Sequence, residues 1–263
     1  MCSPAHGQSP DEIGFTSRVA DMQSDGPAAD PVLIEELAIA NKILFREGVV
    51  DGFGHISVRH DKRPDRFLLA RNMAPALVTT DDIVEFDLDG NPMNAQGRPV
   101  YLERFIHGEI FRARPDVMAV VHSHSHAVVP FGVVRGVPFR PICHMSSFIG
   151  MCTPIFEIRD VVGEENDLLI TNSKLGAALA ECLGEFTCVL MRGHGSTVVG
   201  SSLREAVFRA VYTEVNARLQ SEAMRIGPVT YLSEGETRVA TRTIATQINR
   251  AWDFWRMRAE GKI

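Results

Sequence analysis

Residues 117–126 read Val-Met-Ala-Val-Val-His-Ser-His-Ser-His, and this stretch constrains the fold more than any other in the chain. Consecutive apolar residues leave neither face free to meet water, so the segment belongs in the middle of a sheet covered above and below. The imidazoles of His122, His124 and His126 follow at every second position, which sets them on one face at the end of that strand. Two neutral imidazoles there make part of a metal site, and zinc or manganese needs at least one more protein ligand from elsewhere. Met191-Arg192-Gly193-His194-Gly195 offers it: the histidine follows a second apolar strand and stands between glycines, which let neighbouring backbone pack close. His122, His124 and His194 are therefore the candidate metal ligands. His126, near the strand's end, is left to face water or to support the others.

The flanking sequence supplies the layers. Asp30-Pro31 is an N-cap and first-turn pair, and Leu33, Leu37, Ala40 and Leu44 keep helical spacing until Gly48. Strand-like segments follow over 56–59, 66–70 and 83–87, the last closed by an Asp89-Gly90 turn ahead of Pro92. Leu102, Phe105, Ile106 and Ile110 predict a helix that ends near Arg114-Pro115 and delivers the chain into the histidine strand. Residues 127–134 fit strand or helix alike; beyond them 168–170, 173–183 and 188–191 predict strand, helix, strand. Helical spacing then holds over 204–226, and 243–258 predict a closing helix. The alternation predicts an α/β class and a single domain over 31–263, preceded by an irregular segment over 1–30 rich in Ser, Pro, Gly, Asp and Ala. Glu103 opens the helix before the histidine strand, with His107 one turn on and on the same face. A carboxylate aimed at a metal pocket ligates or carries a proton, whereas an ordinary first-turn Glu simply complements the helix dipole.

Composition excludes several functions. A net charge of −6 without a basic run gives no field for nucleic acid or an anionic membrane. No stretch reaches the length of a membrane span and the N-terminus lacks the order of a secretory signal, so the cytoplasm is the expected location. The five cysteines are scattered without CxxC spacing, which predicts reduced thiols rather than a disulfide framework. Neither a GxGxxG stretch nor a Walker loop supports nucleotide chemistry.

Glu103, the run Arg114-Pro115-Asp116 leading into His122 and His124, and the Gly193-His194-Gly195 triplet together resemble the class II aldolase/adducin family over residues 32–224. The resemblance implies a three-layer α/β/α fold with a mostly antiparallel central sheet. It also implies one divalent ion per subunit, manganese or zinc, on His122, His124 and His194, with Glu103 as proton carrier, and a homotetramer with sites near subunit boundaries. Sugar-phosphate aldolases of the family hold the phosphate with an Asn in a Gly-Asn-x-Ser turn, a Thr-Gly loop and a Ser-Ser pair before the catalytic acid. Here these stretches read Gly54-His55-Ile56-Ser57, Ala74-Pro75-Ala76-Leu77 and Tyr101-Leu102-Glu103. An imidazole, apolar groups and a tyrosine leave a phosphate partly unsatisfied, whereas Phe53, Tyr101, Phe105 and Met145 suit a flat or apolar substrate.

The chain looks like the branch of the family that keeps the metal set, has lost the phosphate site and decarboxylates hydroxylated aromatic or pyridine carboxylates. Within that branch its motifs are most similar to those acting on 3-hydroxy-2-methylpyridine-4,5-dicarboxylate in vitamin B6 degradation. The resemblance implies a small carboxylate substrate and Glu103 as the catalytic acid, and His55, Ser57 and His144 are the candidates for substrate contacts. Arg59 and Arg104 are further candidates for a second carboxylate. The competing readings are metal-dependent retro-aldol cleavage or epimerisation of a sugar-derived substrate, and an adducin-like scaffold, against which the presence of all three histidines argues.

Overall fold

The structure, a computed structural model, describes residues 26–263. Residues 1–25, most of the segment expected to be irregular, lie outside the described residues, and 26–30 carry neither helix nor strand. Helix α1 (Pro31–Arg46) starts where the sequence places it, with the Asp30 carboxylate accepting from the amide of Val32 at 2.8 Å and Pro31 in the first turn. Strands β1 (His55–Arg59), β2 (Arg66–Ala70) and β3 (Ile83–Asp87) follow, then α2 (Arg104–Ala113) and β4 (Ala119–Ser123). Short helices α3 (Val129–Val133) and α4 (Arg159–Val162) flank β5 (Ile155–Phe156). Helix α5 (Ser173–Leu183), β6 (Cys188–Met191) and β7 (Gly195–Gly200) lead to the long α6 (Leu203–Ile226), and α7 (Glu234–Ala245) and α8 (Ile248–Ala259) close the chain.

The described strands form one sheet in the order β3-β2-β1-β4-β7-β6-β5. Every neighbouring pair is antiparallel except β5 with β6, so the sheet is mostly antiparallel, as the family resemblance implies. The two faces sort by the alternation of side chains. On β1, Ser57 bonds to His107 of α2 and Arg59 donates to the carbonyl of Phe111 at the end of α2, so His55, Ser57 and Arg59 face that helix. Ile56 and Val58 point the other way, into the apolar core that α1 and α6 help to form. Helix α2 packs on α5, and α1 packs on α6 and α8, which yields three layers. Strand β4 is buried along its whole length, as its uninterrupted apolar run requires.

Three expectations change. Residues 168–170 form no strand, because Leu168 takes a left-handed φ of 67° and turns the chain out of extended geometry. The closing helix over 243–258 is two helices: Thr246 hydroxyl donates to the carbonyl of Thr243 at 2.8 Å, and α8 begins only at Ile248. Helix α7 starts earlier than expected, at a Ser233/Glu236 capping box. The ambiguous 127–134 stretch contains the short α3.

The α2–α5 crossing is tight. A methyl on Gly176 of α5 would stand 2.5 Å from the Phe105 carbonyl oxygen and 2.9 Å from Cγ of Glu109. Gly176→Ala is therefore expected to destabilise the fold by about 1–3 kcal/mol, despite the better helix propensity of alanine. Urea denaturation followed by circular dichroism checks this; an unchanged midpoint would contradict it.

Candidate metal centre

Strand pairing sets up the site. His122 stands opposite His55 on β1 and opposite Thr197 on β7, so the three share the face covered by α2. His124 lies just beyond the end of β4. Between β6 and β7 the chain reverses through Gly193, whose φ of 69° is left-handed. A methyl on Gly195 would fall 2.0 Å from the carbonyl oxygen of Ser123, so only glycine lets this turn lie against the end of β4. The turn carries His194 to within 2.9 Å of His124, measured between their Nε2 atoms, and the Nε2 atoms of His122 and His124 are 3.0 Å apart. Oε2 of Glu103 stands 3.5 Å from Nε2 of both His122 and His194 and 4.0 Å from Nε2 of His124. Together the four candidate ligand atoms lie within 4.8 Å of one another.

The outward-facing atoms of His194, Glu103 and His122 have partners. Nδ1 of His194 donates to the carbonyl oxygen of Leu168 at 2.8 Å, which leaves its Nε2 bare toward the cluster. Oε1 of Glu103 accepts from the amide of Ile170 at 2.9 Å, which turns Oε2 toward the rings. Thr197 Oγ1 is 3.4 Å from Nδ1 of His122. Both the carbonyl and the amide come from the loop where Leu168 holds its unusual φ, a backbone cost of about 1–3 kcal/mol located where it orients two ligands.

The arrangement fits a divalent ion. Nitrogens at about 2.0–2.1 Å from one ion stand roughly 3 Å apart, which is the spacing of these rings. Three imidazoles with one carboxylate suit zinc or manganese. Burial pulls His122 down, and burial with the neighbouring His122 and His194 pulls His124 down to about 3, so both rings are uncharged near neutral pH. Burial pushes the Glu103 carboxyl up, but the rings of His122 and His194 outweigh it and hold Glu103 well below the usual carboxylate range. Burial likewise lowers His194, yet its bond to Glu103 raises it overall, so a proton competes with an ion at that ring.

A cavity of about 510 Å³ opens beside the cluster, walled by Phe53, His55, Asn72, Met73, Tyr101 and Leu102, with Glu103 and His124 also reaching it. The Tyr101 hydroxyl donates to the carbonyl of Met73 at 2.5 Å, and the Phe53 ring stacks on His124. Of the residues expected at the substrate, His55 lines this cavity. Ser57 is fully buried behind it, and His144 is exposed in a separate groove against α7 with Leu232 and Glu236. Phe105 lies under the Arg104 guanidinium, and Met145 belongs to the helical turn that packs on α7, so neither reaches the cavity wall. Arg59 and Arg104, the further candidates for a second carboxylate, do not line this cavity. Arg59 donates to the carbonyls of Val117, Pro64, Phe111 and Arg114, and Arg104 donates to those of Gly90 and Tyr101. His126 is exposed and lines a small cleft with Asp51. Sequence reasoning passed over Leu168, Ile170 and Thr197, whose contributions to the ligands are set by tertiary position. It singled out His107 only as a helix neighbour of Glu103; in space its Nε2 is 2.7 Å from Nδ1 of His55.

His124→Ala is expected to lose the bound ion, whereas Glu103→Gln, with three imidazoles intact, is expected to retain it. Acidification should release the ion, because His194 takes up a proton as pH falls. Elemental analysis of the purified variants and of wild-type protein dialysed across pH 5–8 checks both statements, and full occupancy in His124→Ala would refute the ligand set.

Comparison with known proteins accords with this geometry. A family model for the Class II Aldolase and Adducin N-terminal domain matches residues 35–221. The chain is 41% identical over 236 residues to decarboxylase tropJ of Talaromyces stipitatus, covering 81% of this chain and 88% of that protein. It is 32% identical over 209 residues to the 3,4-dihydroxyphthalate decarboxylase of Arthrobacter keyseri, covering 73% and 79% respectively. In fold it resembles L-fuculose 1-phosphate aldolase from Glaciozyma antarctica PI12, with a TM-score of 0.72 at 21% identity over 91% of this chain and 96% of that one. From its convergent histidines and acid to its mostly antiparallel sheet, the chain belongs to the class II aldolase and adducin family.

Proposed function

We propose that this chain is a divalent-metal-dependent carbon–carbon lyase that decarboxylates a hydroxylated aromatic carboxylate. The observation that carries the reading is the join of the His122, His124, His194 and Glu103 cluster to a cavity walled by Phe53, Tyr101, Met73 and Leu102, in which no Lys or Arg among the described residues offers a phosphate its partners. Two decarboxylases among the relatives, one of them acting on 3,4-dihydroxyphthalate, support the same class of reaction.

Removing CO2 from an aromatic ring leaves an electron pair on carbon that needs a sink, and a hydroxyl on the adjacent ring carbon provides one through its keto form. His122, His124 and His194 would hold a divalent ion, manganese or zinc, which would supply Lewis acidity for the negative charge on that oxygen. Glu103, ionised and turned toward the rings, takes the proton of the substrate hydroxyl on Oε2. The same oxygen then delivers that proton to the ring carbon that bears the departing carboxylate. The electrons of the breaking carbon–carbon bond restore the aromatic ring, CO2 leaves, and solvent returns one proton to the phenolate. His55 lines the cavity wall, and in this reading it meets a second ring substituent. Phe53 and Tyr101 present flat faces for the ring itself.

The active form we propose is a homotetramer, as the family resemblance implies. Light scattering on the purified protein should return four chains per particle; a fully active monomer would exclude this assembly.

A CO2-release assay on the metal-loaded protein tests the reaction. Its panel is 3,4-dihydroxyphthalate, 3-hydroxy-2-methylpyridine-4,5-dicarboxylate of vitamin B6 degradation, and L-fuculose 1-phosphate. We expect CO2 from at least one ring acid and no aldehyde from the sugar phosphate; aldehyde without CO2 would establish retro-aldol cleavage instead. Glu103→Gln should lower kcat by at least about 100-fold with little change in KM, because a proton transfer is made only in the transition state.

A further inference from the structure

Ser57, His107 and His55 form a buried chain of hydrogen bonds that ends at the cavity. Ser57 Oγ lies 2.6 Å from Nδ1 of His107, and Nε2 of His107 lies 2.7 Å from Nδ1 of His55. All three side chains are buried, and the His55 ring rests against those of Tyr101 and His122. The remaining ring nitrogen of His55, Nε2, has no hydrogen-bond partner among the described residues and is the polar atom that His55 brings to the cavity it lines.

The direction of this chain follows from counting hydrogens. A neutral imidazole carries one N–H, and a serine hydroxyl has one hydrogen to give. In one arrangement Ser57 donates to Nδ1 of His107, His107 donates from Nε2 to Nδ1 of His55, and His55 keeps its own hydrogen on Nε2. In the reverse arrangement His55 donates from Nδ1, His107 donates from Nδ1 to Ser57, and the Ser57 hydrogen has to find another acceptor. Ser57 Oγ has no other partner among the described residues, and a buried hydroxyl left unpaired is disfavoured. The first arrangement therefore prevails. An extra proton on either ring would also leave Nε2 of His55 carrying hydrogen, so the donor state of that atom does not depend on the charge of the pair.

We propose that Ser57 and His107 are positioning residues that hold His55 as a hydrogen-bond donor toward the cavity, restricting that part of the substrate to an accepting group, a carboxylate or phenolate oxygen. No Lys or Arg lines the wall among the described residues, and the Tyr101 hydroxyl is engaged with the Met73 carbonyl, so the N–H of His55 and the side-chain amide of Asn72 are the side-chain donors that the wall offers such an oxygen away from the metal cluster. The identity of the acceptor rests on the decarboxylase reading; the direction of the chain does not.

The tautomer is read directly from the ring nitrogens of zinc-loaded protein labelled with ¹⁵N-histidine, with the His55 signals assigned by their loss in His55→Gln. Wild-type protein should carry hydrogen on Nε2 of His55 and have Nδ1 bare. His107→Gln should keep that state, since its amide N–H can replace the donation to Nδ1. Ser57→Ala should mix the two tautomers, because neither direction then strands a hydroxyl. A bare Nε2 in the wild type, or a Ser57→Ala spectrum identical to it, would overturn the assignment. Phthalate, a ring with two carboxylates and no hydroxyl, serves as the binding probe. Its Kd should rise about tenfold or more in His55→Phe and by a smaller factor in Ser57→Ala, with metal content unchanged. Absence of phthalate binding to the wild type, or equal affinity in His55→Phe, would overturn the role given to His55. Failure of every ring acid to release CO2 would overturn the decarboxylase reading alone and leave the tautomer result standing.

Discussion

A carboxylate and three imidazoles can share one buried pocket only if the atoms turned away from its centre find partners of their own. The rest of the architecture meets that demand for Glu103, His122 and His194. The Leu168 carbonyl takes the outer nitrogen of His194, and the Ile170 amide takes the outer oxygen of Glu103. Both groups come from a single irregular loop between α4 and α5, which holds one residue in left-handed geometry to bring them to bear. The loop cannot be a strand, since a ladder would consume the same carbonyl and amide.

Sheet register does the remaining positioning. Because His55, His122 and Thr197 stand in one row across β1, β4 and β7, a shift of any strand by one residue would send its member of the row to the opposite face. The same row joins the metal cluster to the polar chain running back through His107 to Ser57, so α2 contributes to both: Glu103 at its start and His107 one turn along. Tight backbone approaches keep these elements in place, at Gly195 against β4 and at Gly176 where α5 crosses α2.

The electrostatics of the site follow from burial and convergence. A lone buried carboxylate would resist ionisation, but Glu103 faces rings that favour its charged form, and two of those rings are themselves held neutral. The cavity wall offers neutral donors and flat apolar surface in place of cationic side chains, and the guanidinium groups of Arg59 and Arg104 are spent on backbone carbonyls. In the decarboxylase reading proposed above, such a wall suits a planar ring acid better than a phosphorylated sugar.

Much of this was legible in the sequence because it is local. The apolar run before His122 specified a central strand, period two aligned His122 with His124, Asp30-Pro31 marked the start of α1, and the glycines around His194 announced a close backbone approach. Motif resemblance added Glu103 and the mostly antiparallel sheet, which spacing alone does not encode. Where the sequence misled, it did so for the same reason. The apolar residues at 168–170 resemble a strand because they are buried, and burial does not report whether the backbone hydrogen bonds go to a neighbouring strand or to Glu103 and His194. Likewise Arg59 and Arg104 look like substrate ligands until their carbonyl partners are known, and the helical spacing over 243–258 does not show where Thr246 turns on its own helix. The sequence by itself determined the layers, the strand that carries the histidines and the three histidines of the candidate metal cluster. Only the tertiary structure decided which backbone groups orient that cluster and that Ser57 reaches His55 through His107, because hydrogen-bond partners distant in sequence leave no period in it.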